Sequence, residues 1–153
     1  MADQPWLQLD DQLLLDDVDY RVVAALAGRT DRLAFQLLTL VGQLRGERRL
    51  LLQTEDAFLH ARTIEPAALS GEQAQLDGRT LALRWDSDVR TERTDADAST
   101  QFGRGRCAWY EADEGAVAVL IVERDERVAF AGEPLEPSRI DLRFTRSLRE
   151  TRR

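Results

Sequence analysis

Short apolar runs alternate with polar corners along the whole chain. Val117 to Val122 is apolar, Glu123-Arg124-Asp125-Glu126 is a four-residue polar corner, and Arg127-Val128-Ala129-Phe130 turns apolar again, which is the pattern of a β-hairpin. The stretch from Leu50-Leu51-Leu52 through Gln53-Thr54-Glu55-Asp56 to Ala57-Phe58-Leu59 repeats that pattern. A shift of about 71 positions sets Leu50-Leu51-Leu52 on Ile121-Val122-Glu123 and Glu65-Pro66 on Glu136-Pro137. The chain therefore reads as two similar β-units, about 9–66 and 74–144.

Other strands follow from the same signals. Residues 6–16 alternate between Leu and polar neighbours, and Tyr20 to Ala24 is rich in β-branched residues. Leu33 to Val41 fits a strand or a buried helix by periodicity alone; Gly42 and the Arg45-Gly46-Glu47 corner favour a strand that turns back into Leu50. Arg49–Gln53 is expected to pair with Ala57–Ile64 until Pro66, which has no N–H to donate, stops the ladder; Pro66 to Ser70 suits one helical turn. Asp77-Gly78 supplies the positive-φ pair of a type I′ hairpin, followed by Leu81, Leu83 and Trp85 alternating with Ala82 and Arg84. Val89–Thr94, Gly103–Tyr110, Ala116–Val122, Val128–Ala131 and Ile140–Phe144 complete the set, with 95–101 as a polar loop. Amphipathic helices are missing between strands, so a parallel α/β fold is not expected. Two antiparallel units remove their edges by wrapping together. The expectation is an all-β domain over residues 1–145, an antiparallel β-barrel or roll from two similar β-units with little helix, and a basic tail over 146–153.

Composition sharpens this reading. With 153 residues, 43% hydrophobic and 32% charged, the chain is large enough for one independent core. It carries 28 acidic against 21 basic side chains, all arginine, for a net charge of −7. From residue 139 onward the balance is +4, which leaves −11 for residues 1–138. Such an acidic body repels phosphate backbones, so no nucleic-acid partner is expected. The tail, with Arg146, Arg149, Arg152 and Arg153, suits weak peripheral membrane contact. Cys107 is alone, so no internal disulfide forms. The start, Met1 to Trp6, lacks a signal pattern and no long apolar run spans a membrane, which points to the cytoplasm.

Gly103-Arg104-Gly105-Arg106-Cys107-Ala108-Trp109-Tyr110-Glu111, followed by Ala116 to Glu123 and by Val128 to Pro134, resembles the bacterial domain of unknown function 4178 family. The likeness runs from about Leu9 to Phe144, although Phe35-Gln36-Leu37-Leu38 stands where that family tends to show a Trp before a Glu-Tyr-Leu-Leu-like strand. The resemblance implies no established activity and transfers no catalytic residue. It implies a genomic setting near polyamine aminopropyltransferases, small membrane proteins and phage-shock-type proteins, hence an accessory role in an envelope-stress or polyamine-related system.

Chemistry-bearing constellations are weak. His60 and Cys107 lack flanking nucleophile motifs, and one His with one Cys does not make a structural zinc set. Asp95 and Asp97 lack the glycine and terminal glutamate of a calcium loop. Asp10, Asp11, Asp16, Asp17 and Asp19 suit turn charge better than a cation or polyamine site. The expected function is a non-catalytic cytosolic binding or assembly module with no cofactor and no metal. Its partner is a protein, recognised through Trp109, Tyr110, Arg104, Arg106 and Glu111. The alternatives are an enzyme or accessory subunit in aminopropyl-transfer metabolism, and a small-ligand-binding barrel. Buried, converging carboxylates at Glu111 and Glu123 beside Trp109 would favour the enzyme.

Overall fold

The computed structural model describes residues 6–95, 97 and 99–142. The first unit holds β1 (Gln12–Leu15), β2 (Val18–Arg29), β3 (Ala34–Gly42), β4 (Arg48–Thr54) and β5 (Phe58–Thr63), then a 3-10 turn at Pro66–Ala68. The second holds β6 (Gln73–Leu76), β7 (Arg79–Thr94), β8 (Thr100–Glu111), β9 (Val117–Glu123) and β10 (Arg127–Pro134), then a 3-10 turn at Pro137–Arg139 and β11 (Ile140–Asp141). All pairings are antiparallel, in the order β2-β3-β4-β5-β10-β9-β8-β7, and β7 pairs back onto β2. An eight-stranded barrel is thereby closed, which removes free edges along its wall.

Both long strands serve two layers. Asp16-Asp17 (φ 52° and 65°) and Asp77-Gly78 (φ 54° and 77°) supply the positive φ values that fold β1 onto β2 and β6 onto β7. Each long strand then shifts register, between Val22 and Ala24 in β2 and between Leu83 and Trp85 in β7. Because side chains alternate with period two, one inserted residue exchanges the faces. Tyr20 and Val22 therefore point outward under β1, whereas Leu26 points into the barrel. Likewise Leu81 and Leu83 pack outside and Trp85 inside, which corrects the expected single alternation Leu81-Leu83-Trp85.

The barrel interior is filled by the protein's own side chains, among them Phe35, Leu52, Trp109, Val119, Ile121 and Phe130. Phe35 lies 5.7 Å from Trp109 and 6.2 Å from Phe130 between ring centroids, and Trp85 stacks on Trp109 at 5.5 Å and 11°. Gly28 admits the Phe35 ring, since a Cβ there would lie 2.4 Å from it. Two further clusters roof the outside of the wall. Leu7, Leu13 and Leu15 cover Leu38, Leu40 and Leu51; Leu69 and Ala74 cover Leu81, Tyr110 and Ala118. Burying each large apolar side chain contributes about 1.5–3 kcal/mol.

The expected 71-residue shift holds for the 3-10 turns, which follow Glu65 and Glu136, but not for the hairpins. Thr54–Ala57 corresponds to Glu123–Glu126, a shift of 69, because both corners close with the same backbone bond. Leu50 thus matches Val119 rather than Ile121. The alternating stretch 6–16 contributes only β1 as strand. Upstream of it the Leu7 N–H donates to Gln53 Oε1 (3.1 Å) and the Leu7 carbonyl accepts from Gln36 Nε2 (2.9 Å), so a buried glutamine pair holds the backbone. Val89–Thr94 is the end of β7 and not a separate strand. The last expected strand is seen as Ile140–Asp141, and the basic tail 146–153 lies outside the described residues. Among the described residues no helix is long and apolar enough to cross a membrane.

Candidate partner surface on the barrel wall

Residues 103–111 lie on β8, so neighbours face opposite sides of the wall. Trp109, 2% exposed, points into the barrel, where its indole N–H donates to Glu111 Oε1 at 3.0 Å. Tyr110, also 2% exposed, packs in the outer cluster and donates its hydroxyl to the Gly71 carbonyl at 2.9 Å. The expected recognition face containing both rings is therefore divided between two interiors, and neither ring is offered to a partner. Glu111 is half-buried and reaches Arg84 at 3.6 Å. Arg104 and Arg106 remain exposed on the outer face.

The glycines that alternate with these arginines, Gly103 and Gly105, face inward and make room. A Cβ at Gly105 would lie 2.1 Å from the Val122 carbonyl oxygen. One at Gly103 would lie 2.1 Å from Glu123 Oε2 and 2.6 Å from Thr91 Oγ1. In that vacated space Glu123 accepts from Thr91 Oγ1 at 2.9 Å and pairs with Arg93. The Arg93 guanidinium holds the Glu123 carboxyl below its ordinary range.

On the outer face Arg106 pairs with Asp86 (2.8 Å) and Asp88 (3.0 Å). Arg104 does not share this arrangement. It sits directly opposite Arg90 of β7, and Arg90 sits directly opposite Arg29 of β2. Three exposed arginines thus form one row across the seam where the two units meet, and among the described residues no carboxylate lies within 4.0 Å of them. The row borders a cleft of about 640 Å³ that also includes Asp31, Asp88 and Arg106. Asp31 is engaged by the Ser87 hydroxyl at 2.5 Å and Asp88 by Arg106. Two positions from Arg104 along β8, Phe102 is 79% exposed.

The remaining candidates do not converge. Glu111 pairs in register with Val117 and Glu123 with Gly105, so the two carboxylates lie at opposite ends of β9. Cys107 is buried inside the barrel, where burial pushes its thiol up to about 12 and keeps it protonated. His60 lies outside, with Nε2 2.9 Å from Arg49 Nη2, an arrangement in which the ring nitrogen accepts. Asp10, Asp16 and Asp17 occupy positive-φ turn positions, and Asp11 is buried while accepting from the Gln8 N–H at 2.8 Å. Asp16 also takes Arg139 (2.6 Å) and Arg49 (3.3 Å), which lowers its carboxyl to about 2. Asp95 Oδ1 accepts from the Asp97 and Ser99 N–H groups, closing its own loop. Among the described residues no three His, Cys, Asp or Glu side chains are grouped to hold a metal ion.

These contacts set a pH dependence. Burial, then the Arg49 and Arg139 charges, hold His60 below its ordinary 6.5, against weaker pulls from Asp16 and Glu133. The unfolded chain therefore takes up the His60 proton first, and stability falls as pH drops through 6.5 toward the lower folded value. Asp16 acts lower still: its stabilising pairs are complete above 3.8 and are lost as pH falls toward 2. Urea midpoints at about pH 7.5 should exceed those at about pH 5.5, with a smaller difference in His60→Gln. Equal midpoints in the unsubstituted protein would contradict the His60 assignment.

The fold and this surface define a closed antiparallel barrel with an occupied interior and one bare, arginine-bearing seam. Comparison with protein-family models, curated proteins and solved structures gives no match. Arg29 and Arg90 escaped sequence reasoning because the β2–β7 pairing that aligns them joins residues about 60 apart; Phe102, on β8 opposite Glu92, escaped because its face of the wall is left unroofed only in the folded barrel. The one sequence signal was Phe102 itself, an aromatic amid the polar stretch 92–106.

Proposed function

We propose that the protein is a non-catalytic binding or assembly module of the cytoplasm that docks a partner protein on the β2–β7–β8 seam. One observation carries this reading: Phe102, 79% exposed, stands on a stretch of wall that neither outer cluster covers. Large aromatic side chains beside arginine are the residues that most often anchor protein interfaces. An interior occupied by Phe35, Trp109 and Phe130 supports docking on the outside over carriage of a small ligand within. The separation of Glu111 from Glu123 gives the enzyme reading no support. The resemblance to the domain of unknown function 4178 family suggests where such a partner belongs, in an envelope-stress or polyamine-related system.

Affinity capture from the source cells with the full chain, Phe102→Ser and Leu44→Ser tests this. Among the described residues Leu44 is the other strongly exposed large apolar side chain, at 94%, on the β3–β4 corner. The expected result is a partner retained by the unsubstituted protein and by Leu44→Ser, and reduced about 10-fold or more by Phe102→Ser. Equal recovery with all three proteins would reject the seam as the docking face.

A further inference from the structure

Direct cross-strand opposition of like charges destabilises a sheet, and this chain accepts it twice in succession, at Arg29–Arg90 and at Arg90–Arg104. Several other arginines on the surface are given carboxylates: Arg106 has Asp86 and Asp88, Arg79 has Glu114 and Glu133, and Arg139 has Asp16; exposed Arg127 has none among the described residues, but no arginine stands opposite it. Of the carboxylates that flank the row, Asp31 and Asp88 are engaged by Ser87 and Arg106, and exposed Glu92, two positions from Arg90 on the same face, makes no ion pair with the three arginines. Three guanidinium forks are therefore left directed at solvent along one cleft, in a chain whose net charge is −7.

We propose that the row Arg29–Arg90–Arg104 binds a short, extended, carboxylate-rich segment of the partner protein. This deepens the docking reading above and rests on it. Guanidinium forks match carboxylates with two parallel hydrogen bonds, and such charge-assisted bonds are about twice as strong as neutral ones. Neighbouring strands are about 4.8 Å apart, so the row spans roughly 10 Å, the length of about three extended residues. A peptide laid along it offsets the repulsion among the arginines and places an adjoining apolar residue against Phe102. A nucleic-acid strand suits the surface less well. Asp31, Asp88 and Glu92 flank the row, and the chain's overall negative charge repels a polyanion that continues past it.

The test uses the full chain with a fluorescein-labelled peptide of six glutamates ending in phenylalanine, read by anisotropy beside a serine-for-glutamate peptide and an oligothymidylate of equal length. The expected result is binding of the glutamate peptide alone, weakened about 10-fold or more by Arg90→Glu and by raising salt from about 0.05 M to about 0.3 M. Arg90→Thr should weaken binding while leaving Tm unchanged or raised by up to about 4 °C, because it removes both like-charge contacts. A structural arginine would lower Tm instead, and that outcome overturns the proposal. Failure of the glutamate peptide, or tighter binding of the oligothymidylate, overturns it too. If the peptide fails while cellular capture still depends on Phe102, the acidic class falls and the docking face stands; if both fail, both readings fall.

Discussion

Trp109→Ala is expected to lower stability by about 3–5 kcal/mol, and Tm by roughly 6–20 °C. Trp109 is 2% exposed, stacks on Trp85, touches Phe35 and gives its indole N–H to Glu111. Alanine on β8 removes the aromatic contacts with two other strands at once, β7 and β3, and leaves a cavity that a closed barrel has little freedom to collapse. Trp109→Phe keeps most of the packing and loses the Glu111 hydrogen bond, so its cost should be nearer about 1–2 kcal/mol. Urea and thermal denaturation of the three proteins measure the order. A Trp109→Ala cost under about 1 kcal/mol would mean that the ring is not part of the barrel interior.

Gly105→Ala is expected to destabilise by about 3 kcal/mol although it adds a single methyl group. The added carbon would lie 2.1 Å from the Val122 carbonyl oxygen, a backbone atom with no rotamer in which to escape. Relief requires β8 and β9 to separate at the place where Gly105 pairs with Glu123. The adjoining Thr91–Glu123–Arg93 contacts would move with it. Gly46→Ala makes a useful comparison: that glycine has open space around it but a φ of 69°, so its cost comes from backbone conformation alone, about 1 kcal/mol. If Gly105→Ala were the milder of the two, the close β8–β9 approach would be wrong.

Trp109 and Gly105 both lie in the Gly103–Glu111 segment, which the sequence singles out for its family resemblance. Period-two alternation puts the glycines of Gly-Arg-Gly-Arg on one face of a strand and the arginines on the other. In the barrel the glycines admit Glu123 and the Val122 carbonyl, and Arg106 meets Asp86 and Asp88. Arg104 faces another arginine instead. Trp109 and Tyr110 were legible as large side chains but not as members of two separate cores. A strand read alone tells which residues share a face; it does not tell which face is roofed.

Local pattern was enough to place most hairpins, the type I′ turn at Asp77-Gly78, the short helical turn after Glu65 and the all-β class. Each depends on near neighbours in the chain: period-two alternation, the φ > 0 tolerance of Asp and Gly, and the missing N–H of proline. The tertiary structure alone decided the bulges that turn Leu83 outward and Trp85 inward, the clasp of Gln36 and Gln53 on Leu7, and the row Arg29–Arg90–Arg104. Those features arise from barrel closure, which brings β2 against β7 across some 60 residues. Registers between strands so distant follow from the packing of the whole core, and no short window of sequence encodes them.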